Sequence, residues 1–267
     1  MIELSPKGKS KATPSGTRET RRVRRAFARC GSSLAEGCDT AASPPHPPRL
    51  LLEAEAAVDQ IVIFDYAGVA VFAATGALAA SRKQLDFIGF LFLAGVTGIG
   101  GGTVRDVVLD VPVFWIANPA YLLVCAAVAV LVYCTAHRIE SRWRLLLWLD
   151  AVGLAAYCVF GAWKGLAVTD SVVVAVVMGV FTATFGGILR DQLAHEPSVL
   201  LRPEIYVTAA LAGSLVFTLA DLAGMPLLGA AAPAFIVALA IRGGALWFGW
   251  SFPRYRSRPG RPPDDMS

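Results

Sequence analysis

The stretch GIGGGTVRDVVLD, residues 98–110, places consecutive glycines, then an arginine and an aspartate, at the end of a long apolar run. Charged side chains are expensive when they face lipid, so these are expected to face the interior of the protein. A second copy follows downstream as FGGILRDQLAHEP, residues 185–197. The two copies indicate that the chain is built from two related halves.

One numerical shift relates the halves. The aspartates of the two copies are Asp106 and Asp191, and 191 − 106 = 85. Applied without a gap, the same shift aligns Asp65–Asp150, Gly68–Gly153, Gly76–Gly161, Gly101–Gly186, Gly102–Gly187, Arg105–Arg190, Pro112–Pro197 and Tyr121–Tyr206. Matches of these residue types in one register are not expected by chance, and they predict an internal duplication.

The composition is that of an integral membrane protein. Hydrophobic residues make up 55% of the 267 residues and charged residues only 16%, with a mean hydropathy of +0.58. Soluble domains carry about 25% charged residues. Apolar runs long enough to cross a bilayer as helices are predicted at 61–80, 87–109, 119–137, 145–163, 171–193, 203–222 and 225–248.

Each repeat holds three spans, an odd number, so the second copy must cross the membrane in the opposite direction. The predicted fold is therefore an all-α integral membrane protein of seven transmembrane helices: two inverted three-helix repeats and a seventh helix. The predicted boundaries are 1–58 for a disordered basic tail, 59–140 and 141–224 for the repeats, 225–250 for the seventh helix, and 251–267 for a disordered cytoplasmic tail.

Basic residues predict the orientation of the spans, because cytoplasmic loops are enriched in lysine and arginine. One face holds Arg82, Lys83, Arg138, Arg142, Arg144, Arg202 and the C-terminal arginines, while the other holds Asp110, Lys164, Asp170 and Asp221. The prediction is a multi-pass protein of the cell (inner) membrane with its N-terminus outside and its C-terminus in the cytoplasm. The basic N-terminal tail opposes this orientation.

Enzymatic and cofactor-binding classes are disfavoured. The glycine stretch lacks the G-x-G-x-x-G spacing of dinucleotide sites, and the chain has no G-K-[ST] phosphate loop. Its five cysteines and three histidines show no metal-ligand spacing. We predict a protein that is not an enzyme and has no cofactor. The RRVRR cluster is interpreted as a solvated tail rather than a nucleic-acid site.

The glycines predict a local weakness in two helices. Consecutive glycines weaken a helix by about 1 kcal/mol each and allow it to bend or unwind. Freed carbonyls, with nearby threonine hydroxyls, would replace part of a cation's hydration shell. The expected cation position, with no fixed metal, lies near Thr97, Gly100, Thr182 and Gly186, with Thr103 and Thr184 close by. The alternative is that small residues only permit close helix packing. Repetition in both halves favours the first interpretation.

The arginines are expected to pair across the structure, because adjacent residues point in different directions on a helix. The expected partners of Arg105 and Arg190 are Asp65, Asp150 or the aspartate of the other repeat, Asp106 or Asp191. For Asp106 and Asp191 a purely structural ion pair remains an equal alternative. For Asp65 and Asp150 a structural or capping role is favoured over contact with an ion.

Residues 98–122 (GIGGGTVRDVVLDVPVFWIANPAYL) and 185–213 (FGGILRDQLAHEPSVLLRPEIYVTAALAG) resemble the prokaryotic trimeric intracellular cation channels, also described as membrane proteins with paired "glycine transporter" domains. The resemblance covers about residues 61–250. It implies a homotrimer with a potassium-permeable pore in each subunit, lined by glycine-kinked helices 2 and 5. The implied kink positions are Gly100, Gly101, Gly102, Gly186 and Gly187, and Arg105 and Arg190 are the implied basic residues at the pore.

The leading hypothesis is therefore a passive channel for potassium or other monovalent cations, gated by movement of Arg105 and Arg190. The alternative is a secondary transporter of a small solute such as glycine, because inverted repeats also suit alternating access. A third hypothesis is a scaffolding membrane protein. The expected partners are the permeant cations, the lipid bilayer and two further copies of the chain, without nucleic acid.

Overall fold

A computed structural model of the chain describes residues 49–138, 141–196 and 205–251. Seven long helices occupy these ranges: α1 Arg49–Arg82, α2 Phe87–Val108, α3 Ala120–Thr135, α4 Arg142–Thr169, α5 Val172–Leu193, α6 Val207–Leu222 and α7 Leu227–Phe248. A short helix, Phe114–Ala117, joins α2 to α3, and a 3-10 turn, Ala136–Arg138, follows α3. The predicted seven-helix membrane fold is confirmed.

Six of the seven helices are long and apolar enough to cross a membrane, and α6, with 16 residues, is shorter. The α6 span was predicted to begin at 203, in a segment that lies outside the described residues. Helix α1 begins at Arg49, before the predicted start of the first span at 61, and the predicted boundary of the disordered tail at 58 stays a prediction. The rest of both predicted tails, 1–48 and 252–267, lies outside the described residues.

Equivalent residues cap equivalent helices in the two repeats. The Asp86 carboxylate accepts a hydrogen bond from Gly89 N at 2.8 Å and begins α2. Ser171, which is 86 + 85, begins α5 by accepting from Val174 N at 3.5 Å. Just beyond the ends of these helices, Asp110 and His195 both have left-handed backbone, with φ of 53° and 49°. The duplication is therefore visible in the helix ends as well as in the sequence.

The first helices of the two repeats pack against each other through reciprocal contacts. A Cβ at Gly68 of α1 would lie 3.0 Å from the Tyr157 ring of α4, and a Cβ at Gly153 of α4 would lie 3.0 Å from the Phe72 ring of α1. Phe72 and Tyr157 occupy equivalent positions and stack with centroids 5.4 Å apart. The contact of Gly68 with Tyr157 is thus repeated, with the two halves exchanged, by the contact of Gly153 with Phe72. Such reciprocal contacts are those of a two-fold axis between the halves.

The second helices, α2 and α5, cross in the same reciprocal way. Gly101 lies against the carbonyl oxygen of Thr182, and a Cβ at Gly186 would lie 2.7 Å from the carbonyl oxygen of Thr97. Both helices run without interruption through their glycines. The expected unwound turn is therefore wrong: the missing side chains let one helix backbone approach the other, so the helical hydrogen bonds need not open.

Helix α7 belongs to neither repeat and packs on α4 and α6, both of which lie in the second repeat. Gly243 of α7 faces the Trp148 ring of α4, to which a Cβ at Gly243 would lie 3.3 Å away. Trp148 also meets Trp247 edge-to-face, with centroids 6.5 Å apart. The seventh helix therefore makes the two halves of the protein unequal.

Candidate functional site

Two groups of mostly buried charged residues and tyrosines lie near the C-terminal ends of α2 and α5. We call them the first cluster, formed by Asp65, Arg105, Asp106, Lys164, Tyr121 and Tyr157, and the second cluster, formed by Asp150, Arg190, Asp191, Tyr206 and Arg242. Helix α2 alone spans 22 residues, about 33 Å at 1.5 Å per residue. Gly101 of α2 faces Thr182 of α5, and Gly186 of α5 faces Thr97 of α2, so the two helices cross antiparallel. The clusters at their C-terminal ends therefore lie at opposite ends of the crossing.

In the first cluster Asp106 is the shared acceptor. Its Oδ1 accepts from Arg105 Nε at 2.7 Å and from Lys164 Nζ at 2.8 Å. Its Oδ2 accepts from the backbone N–H of Phe114 at 3.0 Å. Arg105 and Asp106 are 1% and 0% exposed, whereas the Lys164 side chain is 22% exposed. Asp106 therefore joins a buried cation on α2 to a solvent-reaching cation on α4.

The Arg105 guanidinium lies among aromatic rings. Its central carbon is 5.0 Å from the centroid of Phe160 and 5.9 Å from that of Phe114. Its Nη1 makes no hydrogen bond within the described residues. Ring faces attract a cation without fixing a direction as strongly as a carboxylate does. Arg105 is thus held by one carboxylate and two rings.

Asp65 is covered by tyrosines rather than by an arginine. Tyr121 donates its hydroxyl hydrogen to Asp65 Oδ2 at 2.8 Å, and the Tyr157 hydroxyl lies 3.3 Å from Oδ1. The Tyr121 ring stacks on Tyr66 with centroids 4.2 Å apart. Asp65 is therefore a buried carboxylate satisfied by neutral donors.

The second cluster uses its equivalent residues differently. Arg190 Nη1 donates to Asp150 Oδ1 at 2.8 Å, and its Nε and Nη2 lie 3.0 Å from Asp191 Oδ1. Arg190 and Asp150 are each 1% exposed. Arg190 is consequently clamped between two carboxylates, whereas Arg105 meets one.

The arginine predictions are confirmed in one half and wrong in the other. Arg190 pairs across helices with Asp150, as expected, but Arg105 does not pair with Asp65. Each arginine also pairs with the aspartate next to it. We expected that residues adjacent in the chain would not contact each other. This is wrong because the long, flexible arginine side chain reaches the carboxylate of the next residue.

The threonines and glycines lie where the sequence placed them, along the α2–α5 crossing. Each hydroxyl donates to a carbonyl one turn earlier in its own helix, at 2.6 Å for Thr97 and Thr182, 2.7 Å for Thr103 and 2.8 Å for Thr184. Thr103 also accepts from Trp115 Nε1 at 3.0 Å. Gly100, Gly102 and Gly187 are buried against Leu189, Phe114 and Tyr206. In the described ranges these groups offer hydroxyl oxygens rather than freed carbonyls.

Arg242 is the charged residue that the sequence analysis overlooked. It is 0% exposed, and its Nη1 donates to Ile205 O at 3.3 Å. Its guanidinium carbon lies 5.1 Å from the centroid of the Tyr206 ring. The available signal was a single charge inside the last apolar run, which by itself marks a functional position. The contacts of Tyr157 and Lys164 across the repeats had no local signal.

Within residues 49–138, 141–196 and 205–251, no group of three or more histidine, cysteine, aspartate and glutamate side chains is placed to hold a metal ion. The acidic residues of both clusters are instead engaged by arginine, lysine and tyrosine. The charges of these clusters are therefore balanced by one another rather than by a bound metal ion.

Comparison with known proteins recovers the same duplication. The family model described as "Glycine transporter" matches residues 62–137 and 147–222, and 147 − 62 = 85 is the predicted shift. The UPF0126 inner membrane protein YadS of Escherichia coli K12 is 40% identical over 195 residues, covering 72% of this chain and 94% of that protein. A UPF0126 membrane protein of Vibrio cholerae is 38% identical over 208 residues, with 76% and 87% covered.

Comparison with solved structures also finds membrane proteins similar to this chain. The TRIC trimeric intracellular cation channel orthologue from Rhodobacter sphaeroides is 49% identical with a TM-score of 0.70, covering 71% of this chain and 98% of that chain. A second TRIC cation channel structure, concerned with the basis of conductance, is 30% identical with a TM-score of 0.67, covering 74% and 98%. The relatives are channels and membrane proteins rather than enzymes, which confirms the prediction of a non-enzyme.

Proposed function

Since this chain belongs to the trimeric intracellular cation (TRIC) channel family, we propose that it is a potassium-permeable channel for monovalent cations. It works as a homotrimer with a separate path through each subunit, along the α2–α5 crossing. The observation that carries this proposal is the burial of an ionic cluster at each end of that crossing. Ionisable residues inside a membrane protein are by default interpreted as a functional site, and an ion pathway is one of the recognised kinds.

Both clusters suit a closed path. Arg105 and Arg190 are fixed positive charges that repel cations, and each is held by at least one aspartate. Moving one charge through 100 mV supplies about 2.3 kcal/mol toward separating such a pair. We therefore assign Arg105 and Arg190 to the gates, with Asp65, Asp106, Asp150 and Asp191 as the groups that hold them or attract the cation. Gly101 and Gly186 set how closely the lining helices approach.

Purified full-length protein in a planar bilayer with a potassium gradient tests the proposal. Discrete current steps that reverse near the potassium equilibrium potential are expected, because each opening passes many ions. Saturable solute uptake without such steps would instead identify a carrier. Glycine is the first solute to try, because the matching family is described as a glycine transporter, and a glycine carrier is the second candidate function.

Neutralising a gate arginine is expected to alter voltage dependence. In Arg105→Gln or Arg190→Gln, the gating charge is lost and the positive barrier disappears, so open probability at a fixed voltage should rise or its voltage dependence should flatten. Single-channel recording measures both quantities. Arg138→Gln, at the end of the turn after α3, is the matched control and should leave them unchanged. Wild-type voltage dependence in both gate variants would refute the gate assignment.

The orientation proposed is N-terminus outside and C-terminus in the cytoplasm, in the inner membrane. It is supported by a basic face in which Arg82 and Lys83 both contact Glu196, at 3.5 and 3.2 Å, and Arg82 lies over the Trp143 ring at 4.2 Å. Lys164 contacts Asp106 near the other end of α2, so it lies on the opposite side of the helix bundle from Arg82 and Lys83.

Cysteine labelling checks this orientation. In a cysteine-free background, Lys83→Cys should react with a membrane-impermeant maleimide only from the cytoplasmic side. Lys164→Cys should react only from outside. Reaction of both positions from the same side would contradict the opposed repeats themselves, whereas a simple exchange of sides would contradict only the proposed orientation.

A further inference from the structure

Arg242 brings a charge from outside the duplicated core to one end of the α2–α5 crossing. It is fully buried on α7, with its guanidinium carbon 5.1 Å from the centroid of the Tyr206 ring and its Nη1 3.3 Å from Ile205 O. Both contacts fall at the start of α6. Trp148, two residues before Asp150, packs beside Gly243, the neighbour of Arg242. Arg242 therefore lies at the level of the second cluster.

Tyr206 lies between Arg242 and the clamped arginine. The ring is 2% exposed. Its hydroxyl lies 2.8 Å from where a Cβ on Gly187 would be, and that same point is 3.4 Å from Asp150 Oδ1 and 3.7 Å from Arg190 Nη2. A shift of the Tyr206 ring would therefore change the space around the Arg190–Asp150 pair.

The equivalent tyrosine shows what holds each ring in place. Tyr121 is fixed through its hydroxyl, which donates to Asp65 at 2.8 Å. The Tyr206 hydroxyl makes no hydrogen bond within the described residues, and neither does Asp150 Oδ2. With no hydroxyl hydrogen bond among the described residues, the Tyr206 ring is held by its packing and by the Arg242 guanidinium over its face.

We infer that Arg242 is a positioning residue of the second gate: through the Tyr206 ring it keeps that tyrosine against the Arg190–Asp150 pair and thereby couples α7 to the opening of that end. The inference rests on the proposed channel function. It gives the seventh helix a role that neither repeat supplies. Arg242 is the one charged residue of α7, Leu227–Phe248, and it lies at the second cluster rather than the first.

Single-channel recording of three variants in potassium-containing planar bilayers tests this role. Arg242→Met should raise open probability at a fixed voltage about thirtyfold, the factor expected when a desolvated cation–π contact is lost. Tyr206→Leu, which keeps the Arg242 charge, should give a change of the same direction and similar size. Arg242→Lys, which keeps a cation over the ring, should restore most of the wild-type behaviour.

Double variants separate positioning from general damage. Arg242→Met with Tyr206→Leu should change open probability no more than either alone, and Arg242→Met with Arg190→Gln should be strongly non-additive. Arg242→Met with Arg105→Gln should be additive, because that arginine lies in the other cluster. Additivity in all three pairs, or wild-type gating in Arg242→Met, overturns the inference while leaving a conducting channel. Absence of wild-type current overturns the proposed function and the inference together.

If Arg242→Met does not fold, the Tyr206→Leu and Arg242→Lys variants still test whether Arg242 positions Tyr206. Wild-type gating in Tyr206→Leu overturns the inference, because the proposed effect of Arg242 passes through that ring. A rise of about thirtyfold in Tyr206→Leu, with near-wild-type gating in Arg242→Lys, supports the inference.

Discussion

Replacing Gly101 by alanine is expected to lower the free energy of unfolding by about 2 kcal/mol, within the usual range for overpacking a tight contact. The added methyl group would meet the carbonyl oxygen of Thr182, which is helix backbone and cannot rotate away. The loss outweighs the gain of about 1 kcal/mol that alanine brings to a helix interior. Thermal unfolding of the purified protein in detergent, followed by helical circular dichroism, measures the change.

Gly95→Ala is the matched control on the same helix. Among the described residues, a Cβ at Gly95 meets no atom within 4 Å outside the adjacent turns of its own helix, so this variant should keep or raise the unfolding midpoint. Gly186→Ala, whose Cβ would lie 2.7 Å from Thr97 O, should resemble Gly101→Ala. Equal midpoints for Gly95→Ala and Gly101→Ala would contradict the packing role assigned to the crossing.

Asp150→Asn is expected to destabilise the protein by about 3 kcal/mol, at the lower end of the range for breaking one side of a buried ion pair. The Arg190 charge would lose its 2.8 Å partner across the helices and keep only Asp191. The equivalent change, Asp65→Asn, should be milder, near 1 kcal/mol, because an amide oxygen still accepts the hydrogen bond from Tyr121.

Paired denaturation curves of Asp150→Asn and Asp65→Asn check this order. Because the two positions are related by the repeat, they share helix position and burial and differ mainly in their partners. A larger loss for Asp65→Asn would mean that its tyrosines are worth more than the arginine clamp. That result would remove the distinction drawn between the two clusters.

The architecture was predictable because it depends on patterns that are local or repeated. Apolar length predicted the seven helices, and the register of 85 between Asp106 and Asp191 predicted the duplication that the family model also matches. The start of α1 was misplaced, because the helix begins at Arg49 rather than at 61. Hydropathy indicates where the lipid-facing part of a helix begins, not where the helix itself begins.

The role of the glycines was not predictable from the sequence. A missing side chain weakens a helix and also permits another backbone to approach. The same glycine sequence is therefore compatible with a broken helix and with a close helix contact. The deciding partner of Gly101 is a carbonyl oxygen on α5, at Thr182. Only the three-dimensional contact separates a broken helix from a close-packed one.

The difference between the two clusters was hidden by the repeat itself. The alignment treats Arg105 and Arg190 as equals, yet their surroundings come from unmatched residues. Lys164 reaches the first cluster from α4, where the equivalent position in α1 is Ala79. Arg242 reaches the second cluster from a helix with no counterpart. Which residues pair across the pseudo-two-fold axis can be determined only from their positions in the three-dimensional structure.

The reciprocal meeting of Gly68 with Tyr157 and of Gly153 with Phe72 has an evolutionary consequence. A single three-helix unit that inserted in both directions would form the same contacts as an antiparallel homodimer, since each copy presents the surface that the other needs. Gene duplication and fusion then free each half to diverge. Tyrosine at one position and phenylalanine at its twin are the kind of specialisation that an obligate homodimer forbids.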